Sequence, residues 1–350
     1  MQIINVAICS FGMSGKLFHA PFIQANNKYN LYAVLERSAK IAQQVYPDIK
    51  SVSTLDELLQ DTRVELIIVN TPNITHYEIT KKCLLAGKHV VIEKPFCVSV
   101  REGQELIKIT AKKNLKLSVY HNRRFDSDYK TVKNIIDQKI LGDLIEMEIH
   151  YDRFVPALSY KKHKESGEVG TGSLYDLGSH LIDQALQLFG MPDALFADIR
   201  FIRLLSKVDD YFEVIFFYIN LRVKLKCSYL VREPLPGYIL NGSKGSFIKA
   251  KTNIQEEALL KGERPESMGW GIEPQNQRGL LNTEINGVHI RKYIDSEIGN
   301  YMQFYNEMYD AIIYDNKVPV SADDALDVIK IIELAFKSSK ERRIIDIVKQ

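Results

Sequence analysis

The sequence predicts a two-domain protein: an α/β domain built on a doubly wound parallel sheet, then an α+β domain with a largely antiparallel sheet. Three observations predict it. Short apolar runs rich in β-branched residues alternate with amphipathic helical stretches over the first third of the chain. A glycine-bearing turn follows the first of those runs. From about residue 123 the pattern becomes one of half-buried, alternating strands. The boundary is therefore placed between 122 and 123, giving domains 1–122 and 123–350.

The apolar runs are INVAIC (4–9), LYAVLE (31–36), ELIIVN (65–70), HVVIEK (89–94) and LKLSVY (115–120). Between them, YEITKKCLLAGK (77–88) sets Ile79, Cys83 and Leu84 on one helix face and ends on Gly87, a C′ glycine. SVREGQELIKITAKKN (99–114) opens with Ser99 as N-cap and Glu102 three residues on, a capping-box spacing. Such a domain binds its ligand beyond the carboxyl ends of its strands.

The first run leads into SFGMSGKLFHAPF (10–22). A dinucleotide fingerprint reads G-x-G-x-x-G, and here Ser10 replaces the first glycine. Gly12 lets the backbone approach a pyrophosphate, Gly15 allows close helix–strand packing, and the helix start supplies N–H groups for phosphate. A plain strand-to-helix turn is the competing reading. Glu36 follows Gly15 by about the 20 residues expected of the acid that binds a ribose 2′-OH. Arg37, Ser38 and Lys40 come next and suit a 2′-phosphate, so NAD and NADP both stand. NTPNITH (70–76) and EKP (93–95) end two further runs, and Pro72 and Pro95 stop those strands. A lysine at such a strand end, Lys94, points into the ligand crevice, although most lysines are merely solvated.

In the second part, DYKTVKNIIDQKI (128–140) reads as a helix and IEMEIHY (145–151) as a strand. DYFEVIFFYI (210–219) and LRVKLKCSYLV (221–231) form an antiparallel pair, with Val223, Leu225, Cys227 and Tyr229 facing one way. YILNGSKGSFIKA (238–250) is a hairpin, and two helices span 297–315 and 322–340. TGSLYDLGSHLIDQALQLFG (171–190) is apolar at helical spacing and carries Asp176 and His180 four apart. That spacing fits an exposed i,i+4 pair or an Asp orienting a proton-transferring His.

Composition bounds the function. The 350 residues carry a formal net charge of +2 and are 45% apolar, with no dense basic run to suggest a nucleic-acid partner. Cys9, Cys83, Cys97 and Cys227 fit no metal-ligand spacing, so no metal is expected and the thiols read as reduced. No run approaches the roughly 20 apolar residues of a membrane span, and no signal peptide is in view, so a cytoplasmic location is expected.

Taken together, SFGMSG, NTPNITHYE, AGKHVVIEKP, SVYHNRRFDSD and GTGSLYDLGSHLIDQALQLFGMP resemble the Gfo/Idh/MocA oxidoreductases over nearly the whole chain, and the scyllo-inositol dehydrogenase-like subgroup in HAPFI, YHNRR and DLGSHLIDQ. The resemblance implies a Rossmann domain, a second domain with a large open sheet that joins subunits into homodimers or homotetramers, and hydride transfer between NAD(H) or NADP(H) and a cyclic polyol or sugar. It implies catalysis by Lys94, Asp176 and His180. It implies cofactor contacts from Ser10, Gly12, Gly15, Glu36, Thr71, Pro72, Asn73 and His76, and further cofactor contacts are expected from Met13, Ser14, Arg37, Ser38, Glu93, Lys94 and Asn122. Substrate contacts are expected from Lys94, Arg123, Tyr151, Arg153, His163, Asp176 and His180. Buried salt-bridge duty competes for Arg123 and Arg124, and packing competes for Trp270. His180 is the expected base and Lys94 the stabiliser of alkoxide charge, with exchange of those roles open. Their side chains are expected within hydrogen-bond or one-water reach. A non-catalytic NAD(P)-sensing regulator is the alternative, and such relatives tend to lose the Lys or the Asp/His pair.

Overall fold

All five apolar runs fold as parallel strands. A computed structural model of the chain, which describes residues 2–37, 40–233 and 235–348, adds a sixth. β1 (Ile4–Ile8), β2 (Tyr29–Leu35), β3 (Lys50–Val52), β4 (Leu66–Val69), β5 (His89–Glu93) and β6 (Leu117–Tyr120) pair in the order β3-β2-β1-β4-β5-β6. β3 has only three residues, Lys-Ser-Val, too few to show a period. The order reverses direction between β1 and β4, and a doubly wound sheet opens its ligand crevice there. Every residue of β4 is fully buried, as a strand covered on both faces must be. Ser99 Oγ accepts from the Glu102 N–H at 3.3 Å, the expected cap. Glu102 reaches back to the Val98 N–H, one residue beyond the reciprocal half of the box.

The chain divides into two compact units, and the first takes in more than Met1–Asn122. Residues 255–270 and 300–326 also belong to it, beyond the boundary drawn from the sequence. The cause is aromatic packing. The helix Met302–Tyr314 buries Phe304, Tyr305, Met308 and Tyr309, with Tyr305 stacked on Phe22 at 5.7 Å. Tyr29 donates to the Tyr305 carbonyl at 2.7 Å. Trp270 meets Phe22 edge-on and donates to Gln255 Oε1 at 3.0 Å, so packing describes it.

The second unit is built on a nine-stranded sheet. Its strands are β7 (Leu144–His150), β8 (Ala194–Arg200), β9 (Tyr211–Phe217), β10 (Arg222–Ser228), β11 (Tyr238–Gly242), β12 (Gly245–Lys249), β13 (Gly279–Ile285), β14 (Val288–Ile294) and β15 (Ile345–Asp346). The order is β14-β13-β12-β11-β7-β10-β9-β8-β15. β9 and β10 are antiparallel as expected, whereas β10 runs parallel to β7 and makes the sheet mixed. β13 and β14 join through Asn286-Gly287, both at positive φ, the Asn-Gly hairpin signal. One face of the sheet buries Met147, Ile149, Val214, Phe216, Val223, Leu225 and Cys227. The other carries half-exposed Glu146, Glu148, Glu213, Lys224 and Lys226.

Candidate active site

The glycine turn is built around one close approach. A Cβ on Gly15 would stand 2.1 Å from the Ser10 carbonyl oxygen, so only glycine lets the helix start so near the end of β1. Gly12 is different: a Cβ there meets only Ser10 Oγ, at 3.4 Å. No protein packing demands a glycine at 12, which suits backbone kept open for a phosphate. The Ser10 hydroxyl accepts from the Gly12 N–H at 3.2 Å, and Asn70, ending β4, donates to the Ser10 carbonyl at 2.8 Å. The substitution of the first glycine thus braces the turn. The helical run then passes through a π turn, Gly15–His19, a widening often found at functional sites. Met13 is exposed at the mouth of the turn. These residues fit a dinucleotide.

Glu36, expected at a ribose, turns inward. It is 7% exposed, and its carboxylate accepts from the N–H groups of Ile41 at 2.8 Å and Ala42 at 3.2 Å and from Ser51 Oγ at 3.2 Å. Glu36 therefore caps the short helix Ala42–Val45. Arg37 and Lys40 are exposed beside it, and Lys40 Nζ reaches Ser53 Oγ at 3.2 Å. Ser38, also expected at the cofactor, lies outside the described residues.

In the loop after β4, Thr75 Oγ1 donates to the Pro72 carbonyl and accepts from the Thr71 hydroxyl, both at 2.7 Å, and Asn73–Thr75 form a 3-10 turn. His76 is fully buried. Its ring nitrogens lie 2.8 Å from the Pro95 and Thr71 carbonyl oxygens. Burial pushes its pKa down despite those two acceptors. His76 thus staples two loops together: a loop position can be read from sequence, but not which way its ring turns. Lys94 follows β5, and its N–H donates to Glu93 Oε2 at 3.2 Å. Glu93 Oε1 accepts from Ser14 Oγ and lies 3.0 Å from His19 Nε2. Burial alone raises the Glu93 pKa. The bonds from His19 and Ser14, with Lys94 nearby, outweigh it and hold the carboxyl below its usual range.

In the second unit, Asp176 lies in a π turn, Leu174–Gly178, and His180 in the α-helix Ser179–Phe189 that continues it. The uniform α-helix read from the sequence is therefore interrupted between the two. A Cβ on Gly178 would meet Leu174 at 2.7 Å and Phe212 at 3.2 Å, so the turn packs directly on the sheet. Ser179 through Ala185 are buried, and His180 is 5% exposed. This is no exposed surface helix. Asp176 is half-exposed, and its Oδ2 takes Lys164 Nζ at 3.3 Å. Asp183 and Gln184 anchor the helix: Arg124 grips Asp183 through two bonds of 2.9 and 2.6 Å, and Gln184 bonds the Arg123 carbonyl and the Tyr238 hydroxyl.

Arg123 is 6% exposed and bonds Asp126 Oδ2 at 3.1 Å and Asn253 Oδ1 at 2.7 Å. The structure gives it, like Arg124, the salt-bridge duty that competed with a substrate contact. Tyr151 is 4% exposed and donates to Asn253 Oδ1 at 3.0 Å. The Arg153 guanidinium lies 4.9 Å from the Tyr151 ring centroid. Burial opposes the Arg153 charge, but Tyr151, Asp176 and Tyr229 raise its pKa on balance. Asn122 is buried in the first unit, and the side chain of His163 lies outside what the structure describes. Sequence reasoning missed His19, Asn70, Tyr229 and Asp209. Asp209 Oδ2 accepts from Ser173 Oγ at 2.8 Å and the Leu174 N–H at 2.7 Å, holding the start of the Asp176 helix. A polar residue ending an apolar run was the available signal for Asn70. The others depend on distant partners. Among the described residues no cluster could hold a metal ion, and no helix is long and apolar enough to cross a membrane.

Comparison with known proteins gives the family. Residues 4–121 match the family model described as "Oxidoreductase family, NAD-binding Rossmann fold", and residues 133–347 match "Oxidoreductase family, C-terminal alpha/beta domain", the two parts of the Gfo/Idh/MocA model. The chain is 37% identical over 342 residues to scyllo-inositol 2-dehydrogenase (NADP(+)) of Bacillus subtilis, covering 98% of this chain and 95% of that one. A D-glucoside 3-dehydrogenase of Escherichia coli matches 54% of the chain, and 55% of its own length, at 27% identity. A crystal structure from Bacteroides fragilis is 43% identical with a TM-score of 0.91, covering 99% of this chain and all of that one.

Proposed function

The chain belongs to the Gfo/Idh/MocA family of NAD(P)-dependent oxidoreductases, and from that premise we propose that it transfers hydride between NADP(H) and a cyclic polyol or sugar of the inositol type. One observation carries the cofactor choice: the Glu36 carboxylate is spent on the N–H groups of residues 41 and 42. An acid that selects NAD presents its carboxylate to the ribose diol and repels a 2′-phosphate. Here the exposed groups beside it are the cations Arg37 and Lys40. The B. subtilis relative, described as NADP(+)-dependent and acting on scyllo-inositol, supports both halves of the reading.

Nicotinamide bound at the glycine turn supplies the hydride chemistry. The chain supplies the rest. Ser10, Gly12 and Ser14 hold the turn that takes the pyrophosphate. Lys94 hydrogen-bonds the reacting oxygen and stabilises alkoxide charge as its proton leaves. His180 receives that proton, a task that suits an imidazole near neutral pH. Asp176 and Arg153, adjacent on the second unit, bind the remaining hydroxyls. A second copy of the chain covers the half-exposed face of the nine-stranded sheet, which sedimentation at micromolar concentration tests directly.

The deciding assay offers scyllo-inositol, myo-inositol and glucose to the protein with NAD⁺ and with NADP⁺. Turnover of a polyol with preference for NADP⁺ supports the reading. Tight cofactor binding with no turnover on any of them replaces it with a regulatory role.

A further inference from the structure

His19 has no part in the reaction described above, yet it is fully buried at the end of the π turn that follows the glycine motif. Its Nδ1 lies 2.8 Å from the Tyr305 hydroxyl and its Nε2 lies 3.0 Å from Glu93 Oε1. The Tyr120 hydroxyl donates to the Phe18 carbonyl at 3.0 Å, and the Tyr305 oxygen, whose one proton serves either that carbonyl or His19 Nδ1, lies 3.0 Å from the same carbonyl, which fixes the turn from the other side. The Tyr120 ring packs on the imidazole at 4.7 Å. An ionised carboxylate accepts hydrogen bonds only, so Nε2 carries the proton toward Glu93. Glu93 thus has its two oxygens divided. Oε1 takes His19 and the Ser14 hydroxyl, and Oε2 takes the Lys94 N–H at 3.2 Å.

We propose that His19 is a positioning residue: it locks the Glu93 carboxylate so that a single group ties the dinucleotide turn, through Ser14, to the backbone from which Lys94 extends. The arrangement makes the pose of Lys94 depend on the state of the turn. Ser14 lies in the segment read as the phosphate cradle, and Glu93 is the residue immediately before the lysine. Rotation of the Glu93 carboxyl releases both at once. A buried carboxylate without its donors loses the charge-assisted bonds that orient it, and a misplacement of about 1 Å at a reacting group can cost roughly 100-fold in rate. The inference rests on the functional reading above for Lys94, but part of its test needs no substrate.

The variants are His19→Ala, His19→Gln, Ser14→Ala and Glu93→Gln, each checked for folding by thermal melting. Two quantities are read: the NADPH dissociation constant, from nicotinamide fluorescence, and kcat and KM for the polyol, per cofactor-binding site. His19→Ala is expected to weaken NADPH binding several-fold and to lower kcat by about 100-fold with substrate KM nearly unchanged. His19→Gln, whose amide still donates to Glu93, recovers most of both. Ser14→Ala combined with His19→Ala is expected to cost less than the product of the single losses, because both act through one carboxylate. A His19→Ala protein whose NADPH affinity and kcat stay within twofold of wild type overturns the proposal, as does His19→Gln behaving like His19→Ala. If His19→Ala does not fold, Ser14→Ala and Glu93→Gln carry the test: unchanged NADPH affinity in both overturns it. Wild-type protein that binds NADPH but turns over no polyol contradicts the functional reading alone, and the affinity measurements still decide the His19 proposal.

Discussion

Two glutamates stand at the carboxyl ends of strands in the same parallel sheet, and the molecule uses them in opposite ways. Glu36, after β2, takes main-chain N–H groups from the helix that follows it and serves local structure. Glu93, ending β5, takes side chains from two other elements and stands beside the lysine assigned to chemistry. Both are largely buried. What separates them is the origin of most of their donors: Glu36 adds one side chain, the Ser51 hydroxyl, to its backbone N–H groups, and Glu93 adds one backbone N–H, that of Lys94, to its side chains. A carboxylate satisfied by neighbouring backbone is a cap, whereas one satisfied by remote side chains joins parts that must stay in register.

That contrast can be broken at several points. The largest effect is expected in the helix that carries His180. His180→Ala is expected to lower kcat by 10²–10⁴-fold, the usual worth of a general base, while NADPH affinity holds, since the residues proposed for the cofactor lie in the first unit. A variant with full turnover removes His180 from the mechanism.

The next largest effect comes from a third buried carboxylate, Asp209, whose pKa is pushed up to about 6, mainly by burial. Because the folded protein binds that proton more tightly than the unfolded chain, its contribution to stability is full below about pH 4 and is lost as pH rises through about 6. The difference is on the order of 3 kcal/mol. Melting of wild type and Asp209→Asn between pH 4 and 7 checks it: the loss with rising pH should flatten in the variant, and parallel curves would contradict the assignment.

Two smaller effects address Glu36 directly. Arg37→Ala should weaken NADP(H) binding about tenfold, the worth of one charge-assisted hydrogen bond, and leave NAD(H) unchanged. Equal losses for both cofactors would remove Arg37 from the 2′-phosphate. Glu36→Ala should cost about 1 kcal/mol as a lost cap, a fall of a few degrees in Tm, without weakening NAD(H) binding. Weaker NAD(H) binding at unchanged Tm would return Glu36 to the ribose.

The same distinction explains what was legible in the sequence. Gly12, Gly15, the Ser99 cap and the position of Lys94 after a strand are properties of a few consecutive residues. The Rossmann sheet showed itself through runs of continuous apolar character, and only the three-residue β3 was too short to do so. Remote pairing was not legible. His76 stands in a cofactor loop by sequence, but its ring points to two carbonyls, one of them 19 residues away. His19 and Glu93 are 74 residues apart. Arg123 and Arg124 read equally as crevice or ion-pair residues until Asp126, Asn253 and Asp183 were seen to bind them. The π turn that holds Asp176, ahead of the α-helix that holds His180, leaves no mark in apolar spacing. The return of 255–270 and 300–326 to the first unit depends on aromatic rings meeting across some 280 residues of chain. The β13–β14 hairpin was legible in Asn286-Gly287, a signal overlooked between strands rich in polar residues.

The central claim is that Lys94, held at the end of β5, serves polyol oxidation by NADP⁺. Its most direct test is the turnover of scyllo-inositol by wild type and Lys94→Ala at saturating NADP⁺, with NADPH affinity measured in parallel. The account predicts a loss of 10²–10³-fold or more in kcat with affinity changed only a few-fold. Turnover in Lys94→Ala equal to wild type would contradict it.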